Sequence, residues 1–377
     1  MCPVASRSAD ASVPGAGPLN PLGLAGLEFV EFATRAPDEL GRRFEQLGFK
    51  AIARHVSKAV TLYRQGNMNF LINAEPESFA ARYAQEYGMG ICALGMRVDH
   101  ASRAFKRAID LGAWPFEGER TGASELKIPA IQGIGDSHIY FVDRWRGRGG
   151  LRGGVGDISI FDIDFRPIDI ATAQADLAHA GTGLQRVDHM TQTVGAGRMQ
   201  EWLDFYRDLL HFREIHEVDP DGHVSADSRV MVSPCGEVKI PLYEEGTART
   251  EQMHAYLPDH PGEGVQHIAL ATDDIFACVD ALARNGVEFV EPPRAYYEGI
   301  DARLPGHGVD IEALRARGIL IDGEIDGGGV PRLFFQTFVK RRPGEIFFEV
   351  VQRSGHHGFG EGNLGALASA RSAAGTP

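Results

Sequence analysis

One unit recurs four times along this chain, and an internal repeat restricts the possible folds more than any single motif does. Each copy reads as an apolar strand, an amphipathic helix, a turn built on Gly, and then more strand. The copies open at "GLEFVEFA", "GICALGMR", "LQRVDHMTQTV" and "GVQHIALAT". Their helices space apolar residues helically, as Ile275, Val279 and Leu282 do in the fourth. Pro37-Asp38 and Asp273-Asp274 supply helix start signals in the first and fourth. Strand-rich sequence follows, such as "AVTLYRQGNMNFLIN" and "RVMVSPCGEVKIPLYEE". The pattern predicts four βαβββ modules, an α+β chain. The 46 glycines suit a turn-rich, sheet-rich fold of this kind.

At 377 residues the chain suits two domains. Modules one and two are assigned to a domain spanning 22–165, and modules three and four to one spanning 184–377. Residues 166–183 read as the connector. Residues 1–21, rich in Ala, Ser, Pro and Gly, lack the apolar core of a secretory signal and read as a disordered tail. The end, "ASARSAAGTP", is expected to fray. A long insertion, "RAYYEGIDARLPGHGVDIEALRARGILIDGEIDGGG", interrupts module four and holds a helix candidate, Ile311–Arg317. Loops on a rigid scaffold tend to carry function.

Bulk properties remove several functions. The net charge of −13 and the lack of a basic run argue against binding nucleic acid or an anionic membrane surface. No apolar stretch approaches the length of a membrane span. Cys2, Cys92, Cys235 and Cys278 are scattered without a CxxC pair, which points to a reducing, cytoplasmic setting.

The chemistry lies in three residues that do not suit their strands. His189 sits in "RVDHM", His267 in "GVQHIAL" and Glu349 in "GEIFFEVVQR", all flanked by apolar residues. A carboxylate buried in such a strand is costly without a partner. A lone strand histidine is most often an ordinary core residue. Here, however, the two histidines open modules three and four at matching points, and the strand of Glu349 closes module four. The matching points in the first half are Phe29, Ala93 and a position near Tyr140. Two imidazoles and a carboxylate make the facial triad of non-haem Fe(II) enzymes, with positions left open for substrate and O₂. Catalytic zinc uses the same donors, so the triad alone leaves the metal open.

Neighbouring residues suggest an aromatic substrate with a polar group. Strand alternation puts Phe347 on the face of Glu349 and places Gln336 with Phe338. Gln252, Ser228 and Gln266 add neutral polar groups, although alternation turns Gln266 away from His267.

The motifs "RVDHM", "GEGVQHIAL", "RLPGHG", "ARGILIDG", "LFFQTF", "IFFEVVQR" and "GFGEGN" together resemble the 4-hydroxyphenylpyruvate dioxygenase family, bacterial type, over nearly the whole chain. The resemblance implies a vicinal-oxygen-chelate fold, with each pair of modules forming an open, barrel-like sheet with helices outside. It implies Fe(II) held by His189, His267 and Glu349 in the C-terminal domain alone. The implied substrate residues are Ser228, Gln252, Gln266, Gln336, Phe338, Phe347, Phe359 and Asn363. The implied reaction takes 4-hydroxyphenylpyruvate, a small aromatic 2-oxo acid, and O₂ to homogentisate and CO₂, a step of tyrosine breakdown. A final helix would close over the site, with Gly358, Gly360 and Gly362 giving hinge-like freedom. The first domain would serve structure and assembly, as in a homo-oligomer (dimer or tetramer).

Two pocket positions depart from the family pattern. Leu364 stands where the family usually has Phe, and Tyr243 where "IPLNEE" has Asn. The related hydroxymandelate synthase has a branched aliphatic residue at the first position and oxidises the benzylic carbon of the same substrate. A synthase-like or other 2-oxo-acid dioxygenase is thus the alternative, while Pro241 keeps the dioxygenase pattern.

Overall fold

The four modules fold into two curved sheets with the same internal order. The computed structural model describes residues 19–117, 125–145, 158–169, 181–215, 228–247, 262–325, 328–341 and 346–374. The first sheet contains β1 (Leu27–Ala33), β2 (Lys50–His55), β3 (Val60–Gln65), β4 (Met68–Asn73), β5 (Gly90–Arg97), β6 (Pro115–Phe116), β7 (Ala130–Gln132), β8 (His138–Val142) and β9 (Phe165–Pro167). Its spatial order is β6-β7-β8-β5-β1-β4-β3-β2-β9. The second contains β10 (Leu184–Val194), β11 (Arg213–Ile215), β12 (Ser228–Val232), β13 (Lys239–Glu244), β14 (Gly264–Thr272), β15 (Leu320–Ile325), β16 (Pro331–Phe338) and β17 (Phe347–Ser354). Its order is β11-β12-β13-β10-β14-β17-β16-β15.

In every module the first strand runs parallel to the last and the remaining strands follow outward, so first strands lie at the centre. The two central strands of each sheet, β1 with β5 and β10 with β14, pair antiparallel. This topology brings the openings of two successive modules side by side.

Local chemistry sets the elements. Pro37 sits in the first turn of the helix Pro37–Gln46, with Asp38 and Glu39 beside the positive end of the helix dipole. Asp274 caps Ile275–Arg284 by accepting from the Ala277 N–H at 3.0 Å. The insertion in module four is shorter than the sequence suggested. Its "ILIDGEI" stretch supplies β15, a strand of the module itself, and among the described residues only two helical turns, Arg294–Glu298 and Ile300–Arg303, and the helix Ile311–Arg315 are additional. The chain end is helical through Ala374, with Leu367 and Ala370 buried in the core, so "ASARSAAGTP" does not fray along most of its length.

The two halves share one core. Phe348, on the face of β17 opposite Glu349, stacks on Phe32 and meets Phe44 edge-on, both at 6.3 Å between centroids. The joint is also hydrogen bonded. Thr182 Oγ1 donates to the Leu47 carbonyl at 2.7 Å, and the Thr182 N–H donates to Gln65 Oε1 at 2.7 Å. Thr182→Val is expected to lower stability by about 1 kcal/mol, read as a shifted denaturant midpoint with an unchanged slope. An unshifted midpoint would show that the hydroxyl contributes nothing there.

Candidate metal centre

Register brings the three unusual residues together. His189 pairs with Ala269 across β10 and β14, and Ala269 pairs with Glu349 across β14 and β17. His267 lies two residues before Ala269 and so shares its face. Glu349 Oε2 is 3.2 Å from His189 Nε2 and 3.3 Å from His267 Nε2. Among the described residues this is the group of three His, Cys, Asp or Glu side chains placed to share a metal ion, with donor atoms within 4.8 Å of one another.

Two β-bulges orient the imidazoles. The β10–β14 register slips at Asp188 and again at Gln266, the residue before each histidine. A bulge cancels strict alternation, so neighbouring side chains can turn toward one another. His189 Nδ1–H donates to Asp188 Oδ1 at 2.8 Å, and His267 Nδ1–H to Gln266 Oε1 at 2.6 Å. Gln266 therefore lies on the His267 side, against Nδ1, which corrects the alternation argument. Both Nε2 atoms then point at Glu349.

The electrostatics follow from this convergence. Burial raises the pKa of Glu349, but hydrogen bonds and charge from His189, then His267, outweigh it and hold the carboxyl below its ordinary value. Burial lowers His189, yet Asp188 and Glu349 reverse the shift and raise it. For His267 burial prevails, and its pKa falls. Burial also opposes charge on Asp188, but His189 and Arg353 hold it well below the carboxylate range. Glu349 Oε1 is buried without a hydrogen-bond partner. Two imidazole lone pairs, a carboxylate and an unpartnered oxygen fit a divalent cation, which would offset the burial of the charge.

An aromatic wall adjoins the cluster. Phe338 pairs with Glu349 across β16 and β17. Its ring lies 5.3 Å from Phe347, which meets His267 edge-on at 5.8 Å. Phe359 stands perpendicular to His189 at 5.0 Å. Gln336 is buried beneath Gly360. Asn363 is fully buried on the C-terminal helix, where Oδ1 accepts from Tyr296 Oη at 2.7 Å and Nδ2 has no partner. Gln266 Nε2 likewise lacks one.

Leu364 is half-buried against the core on the same helix. Tyr243 is buried in β13 and pairs with Thr193, two residues past Thr191, the partner of His267. Ser228 opens β12 opposite Tyr243 in the ladder. Gln252 lies outside the described residues.

The expected hinge reduces to one glycine. Gly360 has φ +85°, whereas Gly358 and Gly362 do not take up the left-handed region. Gly362 instead anchors the helix, its N–H donating to Asp322 Oδ2 at 2.8 Å. Sequence reasoning passed over Asp188, Arg353 and Asp322. The readable signals were an acid directly before His189 and an Arg in phase with Glu349.

The first sheet has the same bulges, at Glu28 and Cys92, but different side chains. Its equivalent row is Phe29, Gly95 and Tyr140. The Phe29 and Tyr140 rings lie 5.8 Å apart, and a Cβ at Gly95 would fall 2.9 Å from Phe29 Cγ. Both rings line a cavity of about 1140 Å³. None of His189, His267 and Glu349 lines it, so its size does not make it the reactive site.

The chain is similar to known proteins. Residues 19–166 match the family model "Hydroxyphenylpyruvate dioxygenase, HPPD, N-terminal", and residues 186–301 match "Glyoxalase/Bleomycin resistance protein/Dioxygenase superfamily". A 4-hydroxyphenylpyruvate dioxygenase of Pseudomonas sp. (strain P.J. 874) is 43% identical over 92% of this chain and 94% of its own length. A solved xylose isomerase-like TIM barrel/4-hydroxyphenylpyruvate dioxygenase fusion protein is 32% identical with a TM-score of 0.75, covering 96% of this chain and 55% of that one. A mutant 4-hydroxymandelate synthase from Streptomyces coelicolor shares the fold, at 22% identity and a TM-score of 0.66, with 94% and 98% covered. The repeated βαβββ topology is thus a vicinal-oxygen-chelate fold, and near-full-length identity of this order makes the chain a member of the 4-hydroxyphenylpyruvate dioxygenase family.

Proposed function

We propose that the chain is an Fe(II)-dependent dioxygenase that converts 4-hydroxyphenylpyruvate and O₂ to homogentisate and CO₂. The observation that carries this is the convergence of two Nε2 atoms on a buried carboxylate beside an aromatic wall. Bound at His189, His267 and Glu349, Fe(II) would supply a Lewis-acid anchor for the 2-oxo acid and redox chemistry with O₂.

The chain's own residues supply position and dryness. Phe338 and Phe347 would flank the substrate ring. The unpartnered amide donors of Gln266 and Asn363 face a polar group better than they face hydrocarbon, since leaving them unpaired costs about 1–3 kcal/mol each. Gln336, Ser228 and Gln252 extend that polar set in this reading, and Phe359 covers His189 from the helix side. The C-terminal helix excludes water, which strengthens every charge interaction beneath it. Leu364 and Tyr243 would set how the ring lies. A cytoplasmic homo-oligomer, with the first half serving assembly, is the matching reading for the whole protein.

Incubation of purified protein with Fe(II), ascorbate, O₂ and 4-hydroxyphenylpyruvate tests this. Homogentisate with one CO₂ per O₂ is the expected result, and Zn(II) should not replace Fe(II). Hydroxymandelate instead would transfer the assignment to the synthase-like reading that Leu364 raises. Neither product would sink both.

A further inference from the structure

We propose that Arg353 links the metal centre to the C-terminal helix, so that occupancy of the one holds the other closed. Arg353 lies on β17 four residues after Glu349, on the same face of the strand. Its Nε and Nη2 donate to the two oxygens of Asp188 at 2.8 and 2.7 Å. Asp188 in turn accepts from Nδ1 of His189. The remaining nitrogen, Nη1, donates to the carbonyls of Gly358 and His356, in the turn that leads into the helix Glu361–Ala374. The guanidinium lies over the Phe334 and Phe359 rings, at 4.6 and 4.9 Å. Phe359 then stands edge-on to His189. The contacts close a circuit from His189 through Asp188 and Arg353 to the 356–359 turn and back to His189.

The circuit transmits orientation because its central joint is a two-pronged fork on the buried Asp188. A planar guanidinium gripping both carboxylate oxygens has one geometry, which a lysine cannot reproduce. When a metal fixes the His189 ring, Asp188 and then the guanidinium plane are fixed with it. That plane sets where Nη1 meets the turn and where Phe359 can lie. When the ring is free, the turn loses this constraint and keeps its other pin, Asp322 at the Gly362 N–H, which touches no metal donor. Arg353 is thus a positioning residue, acting on the metal through Asp188 and His189 and on the helix through the backbone.

The inference rests on reading His189, His267 and Glu349 as the metal site, and the experiment separates the two. Full-length protein is titrated with Co(II), a visible-absorbing probe, and amide exchange of 361–374 is followed with and without it. In the wild type, saturating Co(II) is expected to slow exchange there about tenfold or more. In Arg353→Lys, Co(II) affinity is expected to fall about 10- to 100-fold. At saturation the slowing is expected to shrink below about threefold, with exchange in β10 and β14 unchanged as the sign of an intact fold. Asp188→Asn cuts the same link from the other side and should match it. The coupling is overturned if either variant keeps the wild-type slowing at saturation, or if the wild type binds Co(II) without slowing. A wild type that binds no Co(II) sinks the metal-site reading instead.

Discussion

Glu349→Gln should give a folded protein that holds no metal and turns over at least about 10³-fold more slowly, the scale set by losing several kcal/mol of metal-assisted stabilisation. The amide keeps the shape and volume of the side chain, so packing is not the cause. What is lost is the negative charge at the point where two imidazole lone pairs converge. Without metal, the variant should unfold somewhat below the metal-free wild type, because His189 and His267 hold the Glu349 carboxyl below its ordinary pKa and the amide carries no charge for them to stabilise. The wild type should gain about 4 kcal/mol from metal at a thousandfold excess over Kd, and the variant nothing. Retention of a tenth of the turnover, or an equal metal-induced shift in unfolding, would show that Glu349 is not a ligand.

Gly360→Ala should lower kcat/KM about 10²-fold while leaving the rest of the fold intact. The residue has φ +85°, where a Cβ costs roughly 1–2 kcal/mol. That Cβ would also lie 2.8 Å from Gln336 Cδ, displacing an amide that is buried in the pocket wall. A displacement of about 1 Å near the reacting groups is enough for a loss of this order. The two causes can be separated. In a Gln336→Ala background the steric part vanishes, so the added effect of Gly360→Ala should shrink to that of backbone strain, about tenfold. A variant within threefold of the wild type would show that the turn into the helix is not coupled to the pocket.

The modules and the candidate triad were legible because both are written in side-chain type. His189, His267 and Glu349 stand out against Val, Ile and Phe, and the repeat gives them matching addresses. The outer layer of the site was not legible, because it depends on backbone register. Strict alternation turns Gln266 away from His267, and the bulge that turns it back carries no residue signature of its own. Asp188 is placed by the same kind of slip. Arg353 meets Asp188 only across β14, which lies between β17 and β10 in the sheet, so no local pattern signals the pair. The chain end looked like a weak, fraying tail because Ala and Ser dominate it. Its helix is held by tertiary contacts instead, with Asn363 on Tyr296 and Gly362 on Asp322.

The bulges at Glu28 and Cys92 make the first sheet a ready chassis for engineering. Its central strands already depart from alternation at the two places the second sheet uses to aim its imidazoles. Glu28 already has its own arginine, Arg97, 2.6 Å away, as Asp188 has Arg353. The sheet that gathers His189, His267 and Glu349 differs from the one that gathers two aromatic rings at Phe29, Ala93 and Tyr140, and also at Cys92, which stands where Gln266 orients His267. Writing a second centre into this scaffold would mean editing those four positions on a backbone that already carries both bulges.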